Sequence, residues 1–305
     1  WVMSTPGARR GFFYDLWMAN DPAWTCIKVP ATECPRISAA YLEEMRRRMS
    51  RADFLREFMA EFGDAEHQLF SDADQLNALR PDPASRPLDL SPEYRHRHAL
   101  LGPRPLGERV LLATDEWVDR NGFILAADLG QARDHSALAI IEYRLDPLGW
   151  KDPLTLVPAC EVKYVVRWLE RLPLDTPYTD LSAIICDYTK HYELAGRIVL
   201  VIDATGVGRA FLDQLRSLKP GAQIIPVQFT GGHQANQQRG FWNVPKGEPV
   251  MTLEQFFREG QILIPPALPL WPELQAELRS FTRRHSATGH VTYSGKTPAG
   301  GTDDL

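Results

Sequence analysis

Residues 122–143, GFILAADLGQARDHSALAIIEY, constrain the fold more than any other stretch of the chain. Two apolar runs, 123–127 and 136–143, rich in Ala, Leu and Ile, bracket a loop that holds Asp128, Gly130, Arg133 and Asp134. A run that is apolar at nearly every position, and too short for an ordinary helix, predicts a strand buried on both faces. Asp128 then falls where the hydrophobic support ends and the chain turns, a turn that Gly130 eases by tolerating positive φ. An isolated Asp-x-Gly is commonly a hairpin loop whose Asp bonds its own backbone. Its weight depends on whether the pattern recurs.

It recurs at residues 198–202, IVLVI, a second wholly apolar run that ends in Asp203. Gly206 and Gly208 follow, then an amphipathic helix over 207–218 with Phe211, Leu212 and Leu215 inward, then a strand over 223–227. Between the two acid-tipped runs, 154–166 reads as a third strand that completes an antiparallel meander. Residues 179–192 put Leu181, Ile184, Ile185 and Tyr188 on one helical face, and this helix crosses over to the 198–202 strand. Acids at matching ends of neighbouring strands, about 4.8 Å apart, can share a divalent cation. Without a cation the two carboxylates repel, and a bound metal reverses that logic. Oxygen donors of this kind suit Mg²⁺ or Mn²⁺. A third acidic element, Gly300-Gly301-Thr302-Asp303-Asp304, reads either as an N-cap with two acids in a helix's first turn or as the acid that closes a metal site.

Composition limits the alternatives. At 305 residues with 44% hydrophobic content the chain can bury a substantial core. A net charge of −5 excludes a uniformly basic coat, so nucleic-acid contact has to come from local patches. Four scattered cysteines, Cys26, Cys34, Cys160 and Cys186, form neither a metal knuckle nor a disulfide framework, and read as thiols of a reducing compartment. No bilayer-length apolar run or leader is present, so a cytoplasmic protein is expected.

The first third is less regular. Ser4-Thr5-Pro6 precedes an aromatic amphipathic helix over 11–17, and Ser4 and Thr5 read either as a strand end and helix cap or as hydroxyls at the edge of a nucleotide site. Residues 38–62 carry Leu42, Met45, Met49, Phe54, Leu55, Phe58, Met59 and Phe62 at helical spacings, as one helix broken near Ser50 or as two. Arg46, Arg47 and Arg48 form a solvated face or a phosphate contact. Residues 71–108 are proline-rich without sustained period and read as an ordered linker. Within them Arg95-His96-Arg97-His98 reads as an exposed turn rather than a metal site.

Asp128, Asp203 and the late Asp303-Asp304, in this order on such elements, resemble the RNase H-like nuclease domain of bacteriophage large terminases, the motors that package DNA into viral heads. Asp134-His135-Ser136-Ala137 is similar to the second half of that family's first motif. Ser4-Thr5-Pro6 with Gly11-Phe12-Phe13-Tyr14 resembles the end of its ATPase domain, where a short Ser/Thr motif couples ATP hydrolysis to movement. Residues 54–70 resemble the region between motor and nuclease, and 241–246 with 260–265 the stretch between second and third motifs. The resemblance implies an α/β fold, an RNase H-like mixed sheet flanked by helices. It would be preceded by a partly helical linker and the remnant of a P-loop ATPase domain.

The implied organisation is a motor remnant at 1–35, a helical and proline-rich linker at 36–114, and a C-terminally truncated nuclease domain at 115–305, the whole a fragment. The implied activity is an endonuclease using two Mg²⁺ or Mn²⁺ ions about 3.5–4 Å apart. Asp128 would bridge them, and Asp203 and Asp303 or Asp304 would hold one each, with Asp134 as a further candidate. The implied substrate is concatemeric double-stranded DNA in the host cytoplasm, with portal protein and small terminase subunit as partners of the full-length protein. Backbone contacts are expected from Arg133, Lys190, Arg197, Arg209, Arg239, Lys246, Arg283 and Arg284. No G-x-x-x-x-G-K-[ST] loop occurs, which excludes a working ATPase from these residues alone. Two rivals remain. Asp128-x-Gly130 and Asp203-Ala204-Thr205-Gly206-Val207-Gly208 superficially fit the phosphate motifs of actin-like and sugar-kinase ATPases, and an inactive DNA-docking relic would carry the same sequence.

Overall fold

In the computed structural model, the described residues are 1–6, 12–19, 21–49, 51–62, 66–81, 85–91, 109–111, 117–119, 121–130, 134–151, 153, 158–206, 208–231, 234–285 and 291–294. The N-terminal part is helical: α1 (Phe12–Met18), α2 (Ala39–Arg48) and α3 (Arg51–Met59). The expected break near Ser50 therefore separates two helices. α2 starts where Ser38 Oγ accepts from the Tyr41 N–H, an N-cap. Strand β1 (Glu66–Gln68) follows, then α4 (Asp72–Ala78), capped by Ser71, whose Oγ accepts from the Asp74 N–H at 3.1 Å. This helix lies within the stretch expected to lack regular structure, because one good cap and a buried Gln75–Ala78 edge suffice for two turns.

Two short strands, β2 (Arg109–Leu111) and β3 (Trp117–Asp119), pair with each other. The main sheet then begins with β4 (Asn121–Asp128), β5 (Ala137–Lys151) and β6 (Pro158–Arg171), the expected antiparallel meander. β5 and β6 run well past the apolar runs that announce them, because a ribbon this long is held by its backbone ladder as well as by side-chain burial. Helix α5 (Tyr178–Thr189) crosses over to β7 (Ile198–Asp203), which pairs in parallel with β4. Helix α6 (Gly208–Ser217) leads to β8 (Gln223–Thr230), parallel to β7. Strands β9 (Asn236–Gln238) and β10 (Phe241–Pro245), helix α7 (Gly247–Arg258), strand β11 (Ile262–Leu263) and helix α8 (Trp271–Ser280) complete this layer. The eight-stranded order is β11-β6-β5-β4-β7-β8-β10-β9. Strands β12 (Thr282–His285) and β13 (Val291–Ser294) form a separate sheet with β1.

Both faces of the sheet are covered, as uninterrupted apolar strands require. On one face Phe123, Leu125, Ile140, Leu200 and Ile202 pack with Leu181 and Ile185 of α5 and Phe211, Leu212 and Leu215 of α6. On the other, Val166, Leu169 and Ile262 pack with Phe257 of α7 and Trp271, Leu274 and Leu278 of α8. Residues 85–90 lie across the first core: Leu88 and Leu90 are buried in it, and the Leu88 N–H donates to Arg167 O at 2.8 Å. Beneath them Arg167 lies between the buried Glu142 and Glu193, and Arg86 reaches Glu193 at 3.5 Å. This mixed sheet between helices, with the antiparallel strands β6, β5 and β4 continued by the parallel strands β7, β8 and β10, is the RNase H-like architecture expected from the sequence. Among the described residues no helix is long and apolar enough to cross a membrane.

Candidate active site

The end of β4 and the end of β7 meet. The parallel register pairs Ala127 with Ile202, so Asp128 and Asp203 are the next pair along adjacent strands. Alternation puts both on one face: Phe123, Leu125 and Ala127 point into the α5–α6 core, whereas Ile124, Ala126 and Asp128 point the other way, as do Val199, Val201 and Asp203. Two carboxylates therefore emerge side by side, about 4.8 Å apart at the backbone. Asp128 is exposed and Asp203 half-buried.

Each acid is positioned by its turn. Asp203 Oδ1 accepts from the Thr205 N–H at 2.8 Å, Thr205 Oγ1 accepts from the Phe229 N–H at 3.0 Å, and the Ala204 N–H donates to Val227 O. Gly206, at φ +80°, then turns the chain toward α6, in a conformation that costs other residues more. Gly130 works differently from the expectation, since its φ lies outside the left-handed region. A Cβ there would sit 2.3 Å from Asp134 O and 2.4 Å from His135 O, so the hairpin needs its missing side chain, not its torsional freedom. The same turn is tied sideways: Ser136 Oγ donates to Gly130 O, the Leu172 N–H donates to Ser136 O, and His135 Nδ1 lies 2.7 Å from Leu172 O.

Asp134 is exposed in that turn, and among the described residues no group of three or more His, Cys, Asp or Glu side chains could hold a metal ion. Asp303 and Asp304 lie outside the described residues, as does Arg133. Two strand-end carboxylates on one face are a chemically suitable donor pair for a hard cation.

The basic residues sort by position. Lys246 is exposed and its N–H donates to Thr230 O, at the same end of the sheet as the two acids. Arg239, in the β9–β10 turn, is also exposed. Lys190 ends α5 near Pro220, which precedes β8, so it lies at the opposite end. Two expected surface cations are internal. Arg197 is buried, donates to Asn121 and stacks on Phe123 at 5.5 Å. Arg283 is buried in an ion pair with Asp53. Arg284 pairs through its backbone with Glu66, and Arg209 opens α6; their side chains are outside the described residues. Ser4 and Thr5 are exposed, with Ser4 Oγ donating to Thr5 O. Ser4 borders a hollow of about 1010 Å³ lined by aromatic residues including Phe13, Tyr14 and Trp17.

One charged residue escaped the sequence reading. Arg171, at the end of β6, pairs with Ala137, which pairs with Asp128, so it stands in the same row as the acids. Counting alternate residues back to the apolar Leu169 would have assigned its face.

The architecture and the paired strand-end acids define an RNase H-like α/β fold. No known family profile matches the chain, and no curated protein does. Solved structures do: the large terminase of a thermophilic bacteriophage, in complex with ADP, is similar over 98% of this chain and 59% of that one, with TM-score 0.50 and 10% identity. The large terminase nuclease of thermophilic phage G20c aligns over 78% of this chain and 92% of that one, with TM-score 0.41 and 18% identity. A second structure of the G20c nuclease, with bound magnesium, aligns over 69% and 90%, with TM-score 0.38 and 19% identity. The likeness that reaches TM-score 0.50 is to the ADP-bound large terminase, and this chain spans 59% of that protein's length.

Proposed function

We propose that this chain is the nuclease portion of a phage-type large terminase, a divalent-metal-dependent endonuclease that cuts double-stranded DNA during genome packaging. The observation that carries this reading is the pair Asp128 and Asp203, on one face at the ends of adjacent parallel strands of an RNase H-like sheet. Asp128 and Asp203 would hold Mg²⁺ or Mn²⁺, joined by an acid from Asp303-Asp304. Ions bound there would supply an activated water and neutralise charge on the phosphodiester oxygens. The chain's own contribution is orientation. The Thr205 N–H fixes one oxygen of Asp203, and the tied-down β4–β5 turn fixes the backbone that carries Asp128. Lys246 is an exposed cation suited to drawing the DNA backbone toward this end of the sheet. Concatemeric DNA as substrate, a portal protein and small subunit as partners, and a host cytoplasmic setting belong to the same reading.

The ATPase rival is disfavoured by a specific bond. A phosphate loop at 203–206 would present its backbone N–H groups to the nucleotide, yet the Thr205 N–H is engaged by Asp203. The test is Mn²⁺-dependent nicking of supercoiled plasmid by the chain and by Asp128→Asn. Loss of nicking in the variant, with an unchanged melting temperature, is the expected result; full activity in the variant sinks the assignment.

A further inference from the structure

The row of residues that ends the sheet continues past Asp128. Arg171 pairs with Ala137 and Ala137 with Asp128, while Asp203 lies on the other side of Asp128. Laterally paired residues project to the same face. Two independent contacts fix that face: Leu169, two residues before Arg171, is buried against α8, and Arg171 Nη2 donates to Glu277 on the same helix. The guanidinium thus belongs to the face on which Asp128 and Asp203 emerge. Two strand spacings put its Cα about 10 Å from that of Asp128. The side chain between them in the row is the methyl of Ala137, too small to screen one from the other.

Arg171 is also held in a partly satisfied state. Its side chain keeps 27% exposure, Glu277 takes Nη2, and Nε, itself buried, has no hydrogen-bond partner among the described residues, so any ligand would meet the outer edge of the guanidinium rather than Nε. A guanidinium carries five donors in a rigid fork that matches a phosphate. Glu277, 12% exposed on a helix already anchored by Trp271, Leu274 and Leu278, orients that fork before any ligand arrives. A chain of net charge −5 that clusters carboxylates at one edge repels the phosphates it must admit. Arg171, on β6 beside β5, is neutralised by Glu277, so what it offers a phosphate on this face is a set of oriented N–H donors rather than net charge.

We propose that Arg171 is a phosphate-contacting residue of this site, binding the DNA backbone at a phosphate that flanks the one held by the acids, with Glu277 as its positioning residue. This inference rests on the nuclease reading. The alternative role is a staple between β6 and α8, and the two differ in what they do to DNA.

The experiment measures binding of a 30-base-pair duplex across a salt series without divalent metal, together with Mn²⁺-dependent plasmid nicking, for the full chain, Arg171→Gln, Arg171→Lys and Glu277→Gln. Losing one phosphate contact lowers the slope of log affinity against log salt by about 0.9 and weakens binding roughly tenfold at low salt. Arg171→Gln is expected to show that loss with reduced nicking, Arg171→Lys to recover the slope but not full nicking, and Glu277→Gln to keep the slope. A pure staple instead lowers the melting temperature equally in Arg171→Gln and Glu277→Gln and leaves the slope unchanged, which overturns the proposal. Should Arg171→Gln not fold, Arg171→Lys nicking at the full rate overturns it equally. If the unsubstituted chain neither binds nor cuts DNA, the nuclease reading falls and this one with it; if it cuts, Asp128→Asn does not, and Arg171→Gln matches the parent, only this inference falls.

Discussion

Replacing Arg167 by Met tests how the sheet's inner charges are balanced. Arg167 is buried at the bulge between β5 and β6, where Nη1 donates to Glu142 and Nη2 lies 3.8 Å from Glu193. Its Nε donates to Arg86 O, and its guanidinium stands over the Phe123 ring at 5.9 Å. Methionine fills similar volume but leaves two buried carboxylates without their shared cation. Glu142 keeps the Asn121 amide at 2.9 Å, and Glu193 keeps the exposed Arg86 at 3.5 Å. Stranding a buried charge costs about 3–5 kcal/mol, a large share of the roughly 5–15 kcal/mol that stabilises a folded domain. Unfolding entropy of roughly 2.1 cal/mol/K per residue gives about 0.64 kcal/mol/K for 305 residues. The melting temperature should therefore fall by about 5–8 °C, read by circular dichroism. Adding Glu142→Gln and Glu193→Gln to the same chain should restore most of the loss, because neutral amides cost far less to bury. A fall below about 2 °C in the single variant refutes the reasoning.

Gly130→Ala forces a methyl against the backbone of Asp134 and His135, so the β4–β5 turn must open. Nicking should collapse, with destabilisation of about 1–3 kcal/mol in urea unfolding. Burial raises the Glu254 carboxyl above its ordinary range, an effect that Arg258 only partly opposes. The folded state therefore holds this proton over a pH interval in which the unfolded state has released it. That contribution to stability is full below the ordinary glutamate range and is lost as pH rises through the raised folded value. Glu254→Gln should accordingly gain on the parent as pH rises across that window in melting scans; a difference independent of pH contradicts it. Asp203→Asn should abolish nicking while its Oδ1 still accepts from Thr205, leaving the melting temperature unchanged.

The sheet was legible where apolar residues run without a break. Residues 123–127 and 198–202 could only be buried strands, and the acids at their tips stood out against them. Glu66–Gln68 and Thr282–His285 carry no such pattern, and their pairing is long-range in sequence, so nothing local announced it. Charge was the least legible property. Arg197 and Arg283 read as surface cations from composition, whereas each is buried beside a polar or acidic partner supplied by a distant segment. Arg171 was overlooked for the converse reason: an arginine at a strand end looks solvated until the register puts it in line with Asp128.

The segment 85–90 has a practical consequence for exchanging parts between proteins of this architecture. Leu88 and Leu90 fill the core beneath α5, Arg86 touches Glu193, and Asp89 O lies 3.1 Å from His191 Nε2. A graft that starts at β4 leaves these sockets empty, and each missing leucine costs about 2–5 kcal/mol by the measure of leucine-to-alanine cavities. Recombination that keeps the sheet intact has to carry this short upstream ribbon with it, as a cargo inseparable from the fold it crosses.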